Sequence, residues 1–304
     1  MYPWRRAIVC LSILFFGFSP VIAGPVKENK EPPLREDIGT VFVRVTVSDP
    51  MNRYVTRLKK ENFKITEDRV EQEILYFEQR TAPASVGIIL DTSPSMKKYM
   101  NANKVMATLA RFMENSKLKG EYLLITLNQK IILEKDFNQQ VPSVQDNAAF
   151  QEHGGHTAFY DAVYLGLNRV MKGINDTKAL ILITDGEDNS SQYPRSEVVE
   201  YAKESDVQIY GIVGQGEYND GLVGIQKIVS ITGGRAFFLK NFEDLDYWLD
   251  LIIKGLSDQY ILGYKPTNPV HDGTWRRIKI ELDPPKKSPK LKVHSREGYY
   301  APKN

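Results

Sequence analysis

Between Ser85 and Gly255 the chain alternates short aliphatic runs with segments of helical spacing, and no other feature limits the fold as strongly. Val86-Gly87-Ile88-Ile89-Leu90 is apolar without a break, as expected of a strand covered on both faces. Lys97 to Ser116 follows, with Met100, Val105, Leu109, Phe112 and Met113 at helical spacing. Tyr122 to Leu127 reads as a second apolar strand, and Lys130 to Leu133 is placed to pair with it as a hairpin. The spacing then predicts a helix over Phe159–Met171, a strand over Ala179–Ile183 and a helix over Pro194–Lys203. Proline suits that helix's first turn, where a missing N–H costs nothing. A strand over Val207–Val213, a helix over Leu222–Thr232, a strand over Arg235–Leu239 and a helix over Phe242–Gly255 complete the series. Strands alternating with helices predict an α/β fold over residues 85–256, built on a doubly wound, mostly parallel sheet. In such a sheet ligands sit beyond the carboxyl ends of the strands, so the residues after each buried strand are the candidates for chemistry.

The flanks carry β signals only. Val41, Val43, Val45 and Val47 alternate with Phe42, Arg44, Thr46 and Ser48, the period-2 pattern of a strand. Further strands are expected at Phe63–Glu67 and Gln72–Phe77, and downstream at Gln259–Tyr264, Arg276–Leu282 and Leu291–Ser295. Neither set is large enough to close a core alone. The segment 39–80 is therefore expected to pair with 257–304, making a small β-sandwich that flanks the α/β domain.

At the start of the chain, Arg5 and Arg6 precede an apolar run, Ala7 to Ile22, and Val21-Ile22-Ala23 offers a cleavage site. Residues 1–23 thus read as a secretory signal, followed by a flexible leader at 24–38 that contains three prolines. An uncleaved anchor is the alternative, but the run is short for a span and carries Pro20. The mature chain is expected to be exported, periplasmic or secreted, with no stable membrane span. The whole chain has 40 Lys and Arg against 38 Asp and Glu; losing Arg5 and Arg6 leaves 38 of each sign. With no polybasic block there is no electrostatic case for nucleic acid. Cys10, the single cysteine, leaves with the signal, which excludes thiol catalysis, cysteine zinc sites and disulfides in the mature form.

Three motifs fall at strand ends. Asp91-Thr92-Ser93-Pro94-Ser95 follows the first aliphatic run, Gly154-Gly155-His156-Thr157 precedes a helix, and Thr184-Asp185-Gly186-Glu187-Asp188 follows the purest aliphatic strand. Carboxylates and hydroxyls together suit a hard cation such as Mg2+ (or Mn2+ or Ca2+). Taken alone, the first motif reads equally well as a helix cap made by Ser93 or Ser95. All three in this order, each beside a strand's carboxyl end, favour a common site.

Asp91-x-Ser93-x-Ser95, Thr157 and Asp185 together resemble the metal-ion-dependent adhesion site of von Willebrand factor type A domains. The α/β region resembles that fold throughout. The flanking Glu61-Asn62-Phe63-Lys64-Ile65-Thr66-Glu67-Asp68, Gln259-Tyr260-Ile261-Leu262-Gly263-Tyr264 and Arg296-Glu297-Gly298-Tyr299-Tyr300 resemble an exported bacterial subfamily, the von Willebrand factor A-related Acidobacterial type. The resemblance implies that Ser93, Ser95 and Thr157 are hydroxyl ligands. It implies that Asp91 and Asp185 hold the cation directly or through water. A cation so held takes an Asp or Glu side chain from a protein partner. Pro94 departs from the family pattern, standing where glycine is usual; it fixes φ and removes an N–H, and so leaves metal affinity open. His156 is an added residue in its loop, either a partner contact or simply exposed.

The resemblance implies an adhesion or protein-binding module outside the cytoplasm. One alternative is a structural component of an envelope assembly with a vestigial metal site. A hydrolase using Ser93 or Ser95 is the other, disfavoured because none of the four histidines stands in a triad motif and no phosphate loop follows the first strand. Glu187 and Asp188 are expected either to tune the site or to form a solvated loop. Tyr99, Tyr160 and Tyr218 are expected near its rim, as partner contacts or as packing. In the last helix, Leu245, Trp248, Leu249, Ile252 and Ile253 read as core, although the resemblance implies that a shift of this helix can couple to site closure.

Overall fold

The structure, a computed structural model, describes residues 39–139, 156–214, 220–285 and 289–303. The expected signal and leader, Gly154, Gly155 and Tyr218 lie outside the described residues.

In chain order the elements are β1 (Val41–Ser48), β2 (Phe63–Glu67), β3 (Val70–Gln72), β4 (Ile74–Arg80), β5 (Ala84–Asp91), α1 (Ala102–Asn115), β6 (Gly120–Leu127) and β7 (Ile131–Lys135). They continue with α2 (Phe159–Met171), β8 (Thr177–Thr184), α3 (Arg195–Glu204), β9 (Val207–Gly214), α4 (Asp220–Ile231), β10 (Ala236–Leu239) and α5 (Leu245–Ser257). The last strands are β11 (Gln259–Tyr264), β12 (Trp275–Leu282), β13 (Lys292–Ser295) and β14 (Gly298–Tyr300).

A six-stranded sheet runs in the order β10-β9-β8-β5-β6-β7 and is parallel except for β7, which returns antiparallel beside β6. All eight residues of β5 and all eight of β9 are buried, which is why neither shows polar alternation. The pleat instead sorts apolar residues between two cores. Ile88 and Leu90 join Leu109 of α1 and Leu249 and Ile252 of α5 on one face. Ile89 joins Phe159 and Val163 of α2, Val198 of α3 and Ile225 of α4 on the other. Each fully buried aliphatic side chain of this kind contributes about 1.5–3 kcal/mol. The doubly wound α/β sheet expected from the sequence is therefore present.

Two four-stranded antiparallel sheets, β13-β1-β11-β4 and β14-β12-β2-β3, share a third core that includes Val43, Val45, Ile65, Tyr260 and Ile278. Strands from the two ends of the chain pair directly, Val41 opposite Tyr264, Ser48 opposite Lys292 and Phe63 opposite Leu282.

Local differences from the sequence reading have physical causes. The helix expected from Lys97 begins at Ala102, because Pro94–Lys98 first forms a 3-10 turn and Asn101 caps α1, its Oδ1 accepting from the Lys104 N–H at 3.1 Å. The strand expected over Gln72–Phe77 is two strands, β3 and β4, broken at Glu73 because they belong to different sheets. The last helix begins at Leu245, not Phe242, and β14 is a further strand that the sequence pattern did not mark. Among the described residues no helix is long and apolar enough to cross a membrane.

Candidate metal centre

β5 and β8 are hydrogen-bonded neighbours with Leu90 opposite Ile183, so their last residues, Asp91 and Thr184, emerge side by side at the carboxyl edge of the sheet. Both are fully buried. The Thr184 hydroxyl donates to Asp91 Oδ2 at 2.7 Å and accepts from the Gly186 N–H at 2.9 Å. The other oxygen, Asp91 Oδ1, accepts from the Ser93 N–H at 2.9 Å. This fixes the turn out of β5, and Thr92 reinforces it by donating its N–H (2.7 Å) and hydroxyl (3.1 Å) to the Leu127 carbonyl of β6. The Ser93 and Ser95 hydroxyls lie 3.0 Å apart. Neither caps α1, so the helix-cap reading of these serines does not hold. Pro94 occupies the first position of the 3-10 turn, where an N–H is not needed, and its fixed φ suits the turn.

Asp185 follows Thr184 and is also buried, and its Oδ2 has no hydrogen-bond partner. Gly186 makes this turn possible: its φ is +84°, and a Cβ there would stand 2.8 Å from Ile225 Cδ1. Burial pushes the Asp91 carboxyl up to about 6, against its bonds from Ser93 and Thr184, and the neighbouring Asp185 pushes in the same direction. Two buried carboxylates within electrostatic reach of each other, one with a bare oxygen, are costly for the protein alone. With the Ser93 and Ser95 hydroxyls beside them, they form an all-oxygen donor set that fits a hard divalent cation. Among the described residues there is no cluster of three or more His, Cys, Asp or Glu side chains suited to a metal, so carboxylates alone would not complete such a site.

Thr157 reaches the same edge from the start of α2 and is buried. The loop after β8 holds it: the Thr157 N–H donates to Asn189 Oδ1 at 2.7 Å, and its carbonyl accepts from the Asn189 and Ser190 N–H groups. The same loop caps α2, with Asp188 Oδ1 accepting from the Phe159 N–H at 2.8 Å and Ser191 Oγ accepting from the Tyr160 N–H at 3.0 Å. Asp188, although exposed, is thus committed to the helix end, and Glu187 is exposed as well. His156 is also exposed. Tyr99 and Tyr160 are buried packing residues. The Tyr99 ring lies so close to Gly214 that a Cβ there would stand 2.7 Å from it, and its carbonyl accepts from the Phe242 N–H ahead of α5.

The structure therefore links Asp91, Ser93 and Ser95 by direct bonds, sets Asp185 beside Asp91, and ties Thr157 to the Asp185 loop through Asn189. Thr184, Asn189 and Ser191 are positioning residues that the sequence reading did not assign. The only signal for Thr184 was its place at the end of an aliphatic strand. Asn189 and Ser191 act on residues about thirty positions away and left no local signal.

Comparison with curated proteins finds no match. Among solved structures, the chain is similar to proximal thread matrix protein 1 from the mussel byssus, with a TM-score of 0.47 at 17% identity, over 59% of this chain and 49% of that one. That protein is also described with a zinc-occupied MIDAS motif. The chain is similar to BatB from Bacteroides thetaiotaomicron (TM-score 0.45, 16% identity, 57% of this chain and 98% of that one). It is similar too to the ArnB paralog VWA2 from Sulfolobus acidocaldarius (TM-score 0.43, 13% identity, 87% and 76%). The chain spans about half the length of the mussel protein. The model of the von Willebrand factor type A domain matches residues 85–250, more than half of the chain and the whole run from β5 into α5. The chain belongs to the von Willebrand factor type A domain family.

Proposed function

We propose that this protein is a binding module that holds a divalent cation at the carboxyl edge of its parallel sheet and uses it to recognise an Asp or Glu side chain of a protein partner. The observation that carries the reading is the bare, buried Asp185 Oδ2 beside the buried Asp91. Ser93, Ser95 and Thr157 would offer hydroxyl oxygens, Asp185 its free carboxylate oxygen, and Asp91 a carboxylate already engaged by Ser93 and Thr184. Asp91 would therefore act mainly by orienting the serine loop and supplying negative charge. The cation, when bound, supplies positive charge and a coordination position for an anionic ligand. Mg2+ is the cation we favour, with Mn2+ or Ca2+ as substitutes.

The family assignment supports an interaction role rather than an enzymatic one. The signal-like pattern of residues 1–23 supports action outside the cytoplasm, and the flanking motifs support membership of the exported Acidobacterial-type subfamily. Calorimetric titration with Mg2+ and Mn2+ tests the proposal. Wild type should bind with a dissociation constant of millimolar or below. Asp185→Ala should lose binding while staying folded, since it removes a carboxylate with an unpartnered oxygen. No heat of binding in wild type at millimolar metal, with Asp185→Ala equally stable, would overturn the reading and favour the structural one.

A further inference from the structure

Beside the candidate cation site, a groove of about 440 Å³ opens between the 3-10 turn, the start of α1 and the segment leading into α5. Lys97, Lys98 and Lys104 line it, against one acid, Glu243. All three lysines are exposed, and Tyr99, Val105 and Phe242 beneath them are buried, so the cations stand on a packed floor. The groove begins two residues after Ser95. Lys98 lies 4.9 Å from the Tyr99 ring centroid. The Tyr99 hydroxyl holds its ammonium above the usual lysine range, and Asp185 and Glu187 contribute to the same shift, which places Lys98 within electrostatic reach of the cation site.

Lys104 breaks a local rule. It sits in the first turn of α1, where the helix dipole favours acids, and that turn has none. It makes no ion pair among the described residues. A cation placed against the helix dipole and left without an internal partner is better explained by an external anion than by stability. The exposed Glu187, in the loop after β8, carries the opposite charge. An anionic chain leaving the site would be repelled by Glu187 and drawn along the lysines.

We infer that the partner presents an acidic segment, with one carboxylate at the cation site and further carboxylates along the same segment lying against Lys97, Lys98 and Lys104. The inference rests on the cation-binding reading above for the first carboxylate and on the groove alone for the rest.

Fluorescence anisotropy with two labelled peptides separates the two parts. One carries an aspartate followed by glutamates, the other an aspartate followed by glutamines. In Mg2+ at low salt, the glutamate peptide should bind wild type on the order of tenfold more tightly, since three solvent-exposed pairs each contribute modestly. The preference should shrink as salt is raised. In Lys97→Gln/Lys104→Gln it should fall to about twofold or less, while the Mg2+ dependence remains. Glu243→Gln should raise it. Lys98 is spared because it touches Tyr99. An undiminished preference in the double variant overturns the inference and leaves the cation reading standing. Failure of both peptides to bind a protein that takes up Mg2+ also overturns the inference, and with it carboxylate recognition, leaving cation binding alone. If chelator and Asp185→Ala leave both peptides bound while the lysine variant abolishes the preference, the groove stands and the cation reading falls.

Discussion

Thr184 offers the sharpest test of how the site is built. Its hydroxyl serves two buried groups at once, donating to Asp91 Oδ2 at 2.7 Å and accepting from the Gly186 N–H at 2.9 Å. Thr184→Val keeps the shape and removes both bonds, so it leaves no cavity. What remains is a fully buried carboxylate oxygen and a buried N–H without partners. Each such orphan costs about 1–3 kcal/mol, with the charged one toward the upper end. Asp91 keeps the Ser93 N–H on its other oxygen, which limits the total. The expected loss is about 3 kcal/mol, equivalent to a fall of about 6–12 °C in Tm for a domain of this size. Guanidinium unfolding should show it as a lower midpoint at unchanged slope, the pattern of a changed stability rather than a changed unfolded state. Thr184→Ser retains the hydroxyl and should lose about 1 kcal/mol or less. If Thr184→Val unfolds within about 0.5 kcal/mol of wild type, the two bonds do not hold this turn together and the argument for Thr184 as a positioning residue fails.

Gly186→Ala places a Cβ at a φ of +84°, 2.8 Å from Ile225 Cδ1 and 3.0 Å from the Gly221 carbonyl carbon. Left-handed strain and overpacking together should cost about 2–4 kcal/mol in a thermal melt, and an unchanged melt would refute the strain argument. His294 accounts for a pH dependence. Burial, with Arg235 and Lys292 nearby, pulls its pKa down to about 3, and its Nε2 lies 3.0 Å from the Ser48 hydroxyl. In the unfolded chain it takes up a proton near pH 6.5, whereas the folded protein does not until near pH 3. Its contribution is therefore whole above pH 6.5 and is lost as pH falls toward 3. Because the ring is only partly buried, solvent screening trims the full value, and about 2 kcal/mol should be lost between pH 7 and pH 4.5. His294→Gln should show that much less acid sensitivity in denaturant titrations at the two pH values; equal sensitivity would show that the histidine titrates normally in the fold.

The sheet was legible because its signal is local. A strand buried on both faces must be aliphatic throughout, so Val86–Leu90 and Ala179–Ile183 announce themselves, and their ends locate Asp91 and Asp185. The order of the donors along the chain supplied the rest of the candidate site. What could not be read was set by contacts distant in sequence. The start of α1 depends on whether the serine loop first closes a 3-10 turn, and the hydrophobic spacing from Lys97 onward is the same either way. The cap that Asp188 makes on α2 left no local pattern, because the helix it caps lies about thirty residues earlier. The break at Glu73 has no marker in composition, since β3 and β4 differ in which sheet they join and not in what they contain. The lysines of the groove carry no motif in the sequence, and only the fold sets them together.

The junction between α5 and β11 has a consequence for how the molecule assembles. Only Asp258 separates the last helix of the parallel sheet's layer from an inner strand of one antiparallel sheet, and that strand pairs with β1, whose Val41 lies more than two hundred residues before its partner Tyr264. Bringing such distant strands together in an open chain carries a loop-closure cost that grows with the length between them. Once the parallel sheet has formed, its two ends are already near each other and most of that cost has been met. The topology therefore favours an order in which the inserted α/β layer forms before the strands at the chain's two ends pair.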